Sequence, residues 1–165
     1  MRDIEKYIRQ DIAKRVEAYD SINDYKIAIG VFEANTNRSK KNAEEHGVTN
    51  AMLLQIHELG SPIRNIPARP VLHLTLEYAR TTLLPPLMED LVSKCTDGTY
   101  SKADVKRELQ RLCMQMERYA RDLIMNKDPR LAPNAPSTIA RKGENYPLHD
   151  TSKLVHSIRC QLIEK

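Results

Sequence analysis

Two stretches of this sequence hold residue types that do chemistry at short spacing. His57-Glu58 opens like the zinc-protease signature HExxH, in which two histidines one helical turn apart hold the metal and the glutamate serves as base. The second histidine would stand at position 61, which is Ser61, so the signature stops half-formed. His149, Asp150 and Ser152 carry the side-chain types of a hydrolytic triad, but the serine lacks the glycine-flanked elbow that exposes such a nucleophile. Only five glycines occur in the chain, and none forms a glycine-rich loop that would cradle a phosphate. The three cysteines (Cys95, Cys113, Cys160) are odd in number, far apart and in no CxxC pair, which points to reduced thiols rather than a zinc site or a disulfide framework. His46, His73 and His156 share no ligand spacing. The expectation is a protein without catalytic residues, cofactor or metal.

The stretch with the most local constraint is Ile56 to Pro70, IHELGSPIRNIPARP. Its apolar run ends at Gly60, turns through Ser61-Pro62 and leaves through Ile66-Pro67-Ala68-Arg69-Pro70. Each proline fixes its own φ, lacks an N–H and pushes the preceding residue out of the α region, so Ile66 and Arg69 are biased to extended geometry. A stiff segment loses little entropy on binding, which makes this connector a candidate docking surface. Glu58 before the turn and Arg69 after it are placed to face each other, as an ion pair within the fold or across a subunit boundary.

These residues resemble the motif of tailed-bacteriophage head–tail joining proteins (neck, or tail-completion, proteins), which read close to hEfG…iPaRPfl at this point. A second block, LAPNAPSTIARKGENYPLHDTSKLVHSI, is similar to that family's LapsTiarKgs…PLidTGqL..SI pattern. Two departures stand out: Val71 takes the place of the usual aromatic after Arg-Pro, and Ser152 that of the glycine in the DTG triplet. Serine accepts a positive φ less readily than glycine, so a tight left-handed turn at position 152 is not expected. The resemblance implies a structural virion protein at the head–tail junction, a hexameric or dodecameric ring of copies of itself between the connector or adaptor proteins and the tail-tube protein. DNA would pass through the lumen without sequence-specific binding. The protein would be made in the host cytoplasm and end in the virion. Glu58, Gly60, Ile66, Pro67, Arg69 and Pro70 of the first motif, with Asp150 and Leu154 of the second, are the candidate interaction residues.

Composition agrees with an ordinary globular chain. At 165 residues it fits a single domain, 1–165, with a sizeable core. The net charge of +4 and pI near 9.0 permit contact with nucleic acid without indicating it. No Trp and one Phe leave few rings for stacking on single strands. The charged N-terminus does not read as a signal peptide, and no apolar run reaches membrane length, so a soluble protein with no membrane partner is expected.

The elements that position the motifs follow from periodicity. Residues 2–20 place Ile4, Ile8, Ile12 and Val16 four apart, with Tyr7 and Tyr19 beside them, as one stripe of an amphipathic helix fit for a core or a subunit interface. Tyr25 to Ala34 alternates as a strand, with Gly30 marking a bulge or close approach, and Met52 to Leu59 is expected to be its hairpin partner. Between them lies a long polar loop, 35–50. Helices are expected over Val71–Lys94, interrupted at Pro85-Pro86, and over Ser101–Asn126, with Ser101 and Asp104 as a capping box. The proline-stiffened connector spans 60–70, a loop 127–146, and Ile158, Cys160 and Leu162 alternate in a closing strand. The fold expected is α+β: a small, mainly antiparallel sheet packed against two long helices, with the N-terminal amphipathic helix alongside. A second functional class also fits, a small basic nucleic-acid-binding protein using the polar loop and the 139–143 segment.

Overall fold

The computed structural model describes residues 2–32, 49–149 and 152–165. The polar loop expected over 35–50 falls almost wholly outside them, as do the last residues of the first expected strand and Asp150. In chain order the elements are helix α1 (Arg2–Asp20), a 3-10 turn (Ser21–Asp24), strand β1 (Tyr25–Gly30), α2 (Asn50–Leu59), a 3-10 turn (Pro62–Arg64) and α3 (Val71–Tyr78). A π-helical segment (Ala79–Leu83) leads into α4 (Leu84–Thr96). Then follow α5 (Lys102–Met125), α6 (Pro136–Lys142), α7 (Lys153–Ser157) and β2 (Arg159–Glu164). The protein is mostly helical with one two-stranded antiparallel sheet, which fits α+β in its coarse form. Among the described residues no helix is long and apolar enough to cross a membrane.

The chain divides into two compact units. The first comprises Met1–Ala28, Tyr78–Met114 and Gln161–Lys165. Its core gathers Ala18 of α1, Leu91 and Cys95 of α4, and Val105 and Leu109 of α5, with Ile22, Tyr25, Ile27 and Leu162 against them. Burial raises the Cys95 thiol pKa, as expected of a packed, unreactive cysteine. The α5 start is the expected capping box: the Ser101 backbone N–H donates to the Asp104 carboxylate at 2.9 Å, and the Asp104 N–H returns toward the Ser101 hydroxyl at 3.4 Å. The proline pair is absorbed without a break. Leu84 N–H reaches back five residues to the Ala79 carbonyl, a π turn, and the prolines that follow sit in the first turn of α4, where no donor is needed.

The second unit comprises Ile29–Glu77 and Gln115–Cys160. Its core joins Leu54 of α2, Val71 and Leu74 of α3, Ala120, Leu123 and Ile124 of α5, then Leu131, Leu148, Leu154, Val155 and Ile158. Tight ion pairing within this unit centres on Glu117, whose carboxylate accepts from Arg121, from Arg159 and from the Cys160 backbone N–H.

Three expectations are corrected here. Met52 to Leu59 is part of helix α2, not a strand, and β1 pairs with β2 instead. Thr49 caps α2, its hydroxyl accepting from Met52 N–H at 3.2 Å, and the run that follows is almost free of β-branched residues. The 60–70 segment consequently joins helix to helix. The loop expected over 127–146 contains α6, begun by Pro136 at its first position and ended by Gly143 at φ 80°. Gly30 closes β1 rather than bulging it, and among the described residues a Cβ there would meet nothing within 4 Å.

Gly60 is where the connector's path depends on one residue. It sits at φ 74°, and a Cβ there would come within 2.9 Å of Ala68 N and 3.0 Å of the Ile66 carbonyl oxygen. The turn it opens is closed by the Ser61–Ile66 bridge, Ser61 N–H to Ile66 O at 2.8 Å and Ile66 N–H to Ser61 O at 3.0 Å. Gly60→Ala is expected to lower stability by about 1–3 kcal/mol in urea unfolding, since strain and clash coincide. An unchanged midpoint would show that the connector relaxes without cost.

Candidate functional site: the Arg69 fork and its cationic pocket

Arg69 organises the site. Its residue surface is 4% exposed, so the guanidinium is taken out of water and must find partners. Nε donates to the Ala132 carbonyl at 2.7 Å, one terminal nitrogen to the Pro133 carbonyl at 2.7 Å, and the other to His57 Nδ1 at 3.1 Å. The backbone joins in: Arg69 N–H donates to the carbonyl of His57, near the end of α2. The extended geometry imposed by Pro67 and Pro70 holds this residue in reach of both groups. Since arginine only donates, His57 Nδ1 is the acceptor and its proton sits on Nε2.

The expected Glu58–Arg69 pair does not form, and among the described residues no carboxylate pairs with Arg69. Glu58 turns instead to the start of α3, accepting from Leu72 N–H at 2.9 Å and His73 N–H at 2.7 Å. Those are orphan donors of a helix preceded by Pro70, a residue with no side chain to cap them. A carboxylate there also complements the positive end of the helix. The Pro70 carbonyl accepts the next bond, from Leu74 N–H at 3.0 Å.

Beside the fork lies a pocket of about 320 Å³. Ile66, Pro67 and Arg69 of the first motif and Leu154 of the second all line it, so the structure brings the two motifs to one place. Leu154 itself is 6% exposed and belongs to the core wall. Sequence reasoning had not placed His57, Leu53, Asn134, Thr138 or Leu148 here, and had noted Arg141 and Lys142 only as basic residues of the 139–143 segment. Thr138, Arg141 and Lys142 share one signal, the second motif's STIARKG run, which folds largely as α6 and carries the three along one side.

The turn of the second motif is a further correction. Ser152 does adopt a positive φ, 56°, without glycine. Its hydroxyl is held 2.8 Å from His149 Nε2, the His149 ring stacks on Tyr146 at 4.1 Å between centroids, and Lys142 Nζ donates to the His149 carbonyl at 2.7 Å. These contacts offset the cost of the left-handed conformation. Asp150 lies outside the described residues.

Burial, then the charges of Arg69 and Lys142, lower the His57 pKa from 6.5 to about 4. The folded protein therefore keeps this ring neutral where an unfolded chain already protonates it. Stability held above pH 6.5 is lost as the pH falls from there to about 4, and His57→Gln should flatten that part of a stability–pH curve. A curve unaltered by the substitution would contradict the buried neutral ring. Removing the fork leaves two carbonyls and a ring nitrogen unsatisfied, so Arg69→Leu is expected to cost on the order of 3 kcal/mol in urea unfolding. Arg69→Lys should recover little of it, because an ammonium does not match the fork. Full recovery by lysine would mean that charge alone matters.

Comparison with protein-family models, with curated proteins and with solved structures finds no match to this chain.

Proposed function

We propose that this protein is a structural component of the phage head–tail junction, assembling with copies of itself into a hexameric or dodecameric ring between the connector and the tail tube, around the DNA channel. The two ordered motifs suggest the family. The structural observation that carries the assembly reading is the apolar stripe of α1. Ile4, Tyr7, Ile8, Ile12, Val16 and Tyr19 all lie on the exposed side, from 44% exposed at Tyr19 to 71% at Tyr7. What α1 turns inward is small and polar instead: Ala18 is fully buried, and Arg15 donates to the Thr96 carbonyl at 3.1 Å. An amphipathic helix normally buries its apolar face against its own fold. A contiguous apolar stripe left in water marks an interaction surface.

In a closed ring each copy offers one patch to a different patch on the next, a heterologous interface whose rotation closes. The α1 stripe supplies one such patch. A structural role in the virion asks for no catalytic residue, cofactor or metal, and a DNA channel needs only modest positive charge.

Native mass by light scattering, alone and with the connector and tail-tube proteins, tests the reading. The expected result is a closed ring, or a monomer that assembles on its partners, with the double variant Ile8→Lys, Ile12→Lys remaining helical but failing to assemble. A persistent monomer that ignores both proteins and binds DNA with a steep salt dependence would overturn it.

A further inference from the structure

The pocket beside Arg69 has an unbalanced chemistry. Among the described residues its wall holds Arg69, Arg141 and Lys142 and no aspartate or glutamate. The one buried polar atom of its described lining that lacks a partner is a donor. Asn134 Nδ2 is buried without a hydrogen-bond partner. Arg69 has five N–H groups, of which three are engaged, leaving one on each terminal nitrogen. Lys142 gives one of its three N–H groups to His149, and neutral His57 presents Nε2–H. A buried donor without an acceptor is costly, and three cations lining one pocket repel one another. Both costs fall when an anion with several acceptor lone pairs enters.

The same lining also holds the aliphatic side chains of Leu53, Ile66, Leu148 and Leu154. A volume of about 320 Å³ exceeds what one small oxyanion fills, so the complementary occupant carries its charge on an apolar body. We propose that this pocket receives an acidic side chain of a partner protein's peptide segment: the carboxylate meets Arg141, Lys142 and the Asn134 amide, and a neighbouring aliphatic side chain lies on the leucine wall. Arginine and lysine bind carboxylates with charge-assisted hydrogen bonds, and the stiff connector keeps the wall in place before the partner arrives. The inference stands on the pocket alone and does not require the neck assignment.

The test is an NMR titration of the labelled full chain with the peptide acetyl-Ala-Glu-Leu-amide and its glutamine counterpart. The expected result is saturable shifts at Leu53, Thr138, Arg141 and Lys142 with the glutamate peptide, and binding roughly tenfold weaker with the glutamine peptide or with Arg141→Gln, the loss of one charge-assisted contact. Arg141 is exposed, so this variant should keep the wild-type spectrum elsewhere. Asn134→Ala gives a second, independent weakening. Equal binding of both peptides, or no shift with either, would overturn the proposal. So would tighter binding at the same residues by inorganic phosphate or a short DNA duplex, which would make the pocket a phosphate site.

Discussion

One buried guanidinium holds the second unit's connector to the rest of that unit. Arg69 has no carboxylate to neutralise it among the described residues; it is solvated by two carbonyls and a ring nitrogen. Hydrogen bonds to a charged group contribute about 1.5–3 kcal/mol each, and leaving such a group unsatisfied costs more. The arrangement answers needs on both sides. The backbone at Ala132 and Pro133 is neither helix nor strand, so its carbonyls require partners that no ladder supplies. The backbone N–H groups of Ser61, Arg64, Asn65 and Ile66 bond within the connector itself, so the Arg69 side chain does the fastening to Ala132 and Pro133. One residue thereby fixes the end of α2, the entry to α3 and the stretch before α6.

This constraint also sets the electrostatics around it. Because Arg69 needs an acceptor, His57 stays neutral with its proton on Nε2. Because the fork uses carbonyls rather than a carboxylate, its positive charge is not cancelled, and it adds to Arg141 and Lys142 on the pocket wall. Glu58, the acid that sequence spacing would assign to Arg69, is spent on the N-terminus of α3. A structural strut and a cationic recess thus arise from the same choice of partners. The exposed stripe of α1 belongs to the other unit and raises a separate question of assembly.

Much of this was legible in the sequence, and the failures have physical reasons. The long periodic elements read correctly: the fourfold spacing of Ile4, Ile8, Ile12 and Val16 made α1, Val105 to Ile124 made α5, and the alternation ending in Leu162 made β2. Helix α2 was misread because a short apolar run has no decisive period, and its cap lay just before it in a polar stretch. The sense of α1 was also hidden: a stripe tells which face is apolar, not whether the fold covers it. At the site, the motif residues Ile66, Pro67, Arg69 and Leu154 do converge, but the Glu58–Arg69 pair rested on charge and on position about the Gly60 turn. Sequence does not reveal which backbone carbonyls are left needing a donor, and those decided the matter. Ser152 shows the same limit, since His149 and Lys142, not its own propensity, hold its left-handed backbone.

The central claim is that Arg69 is an immobilised internal strut, and nitrogen-detected NMR of its side chain tests it most directly. The account expects a resolved Arg69 Nε–H signal at neutral pH, protected from solvent exchange, with a through-bond coupling to the Ala132 carbonyl carbon. A rapidly exchanging, rotationally averaged guanidinium without that coupling would contradict it, and with it the fixed wall on which the pocket depends.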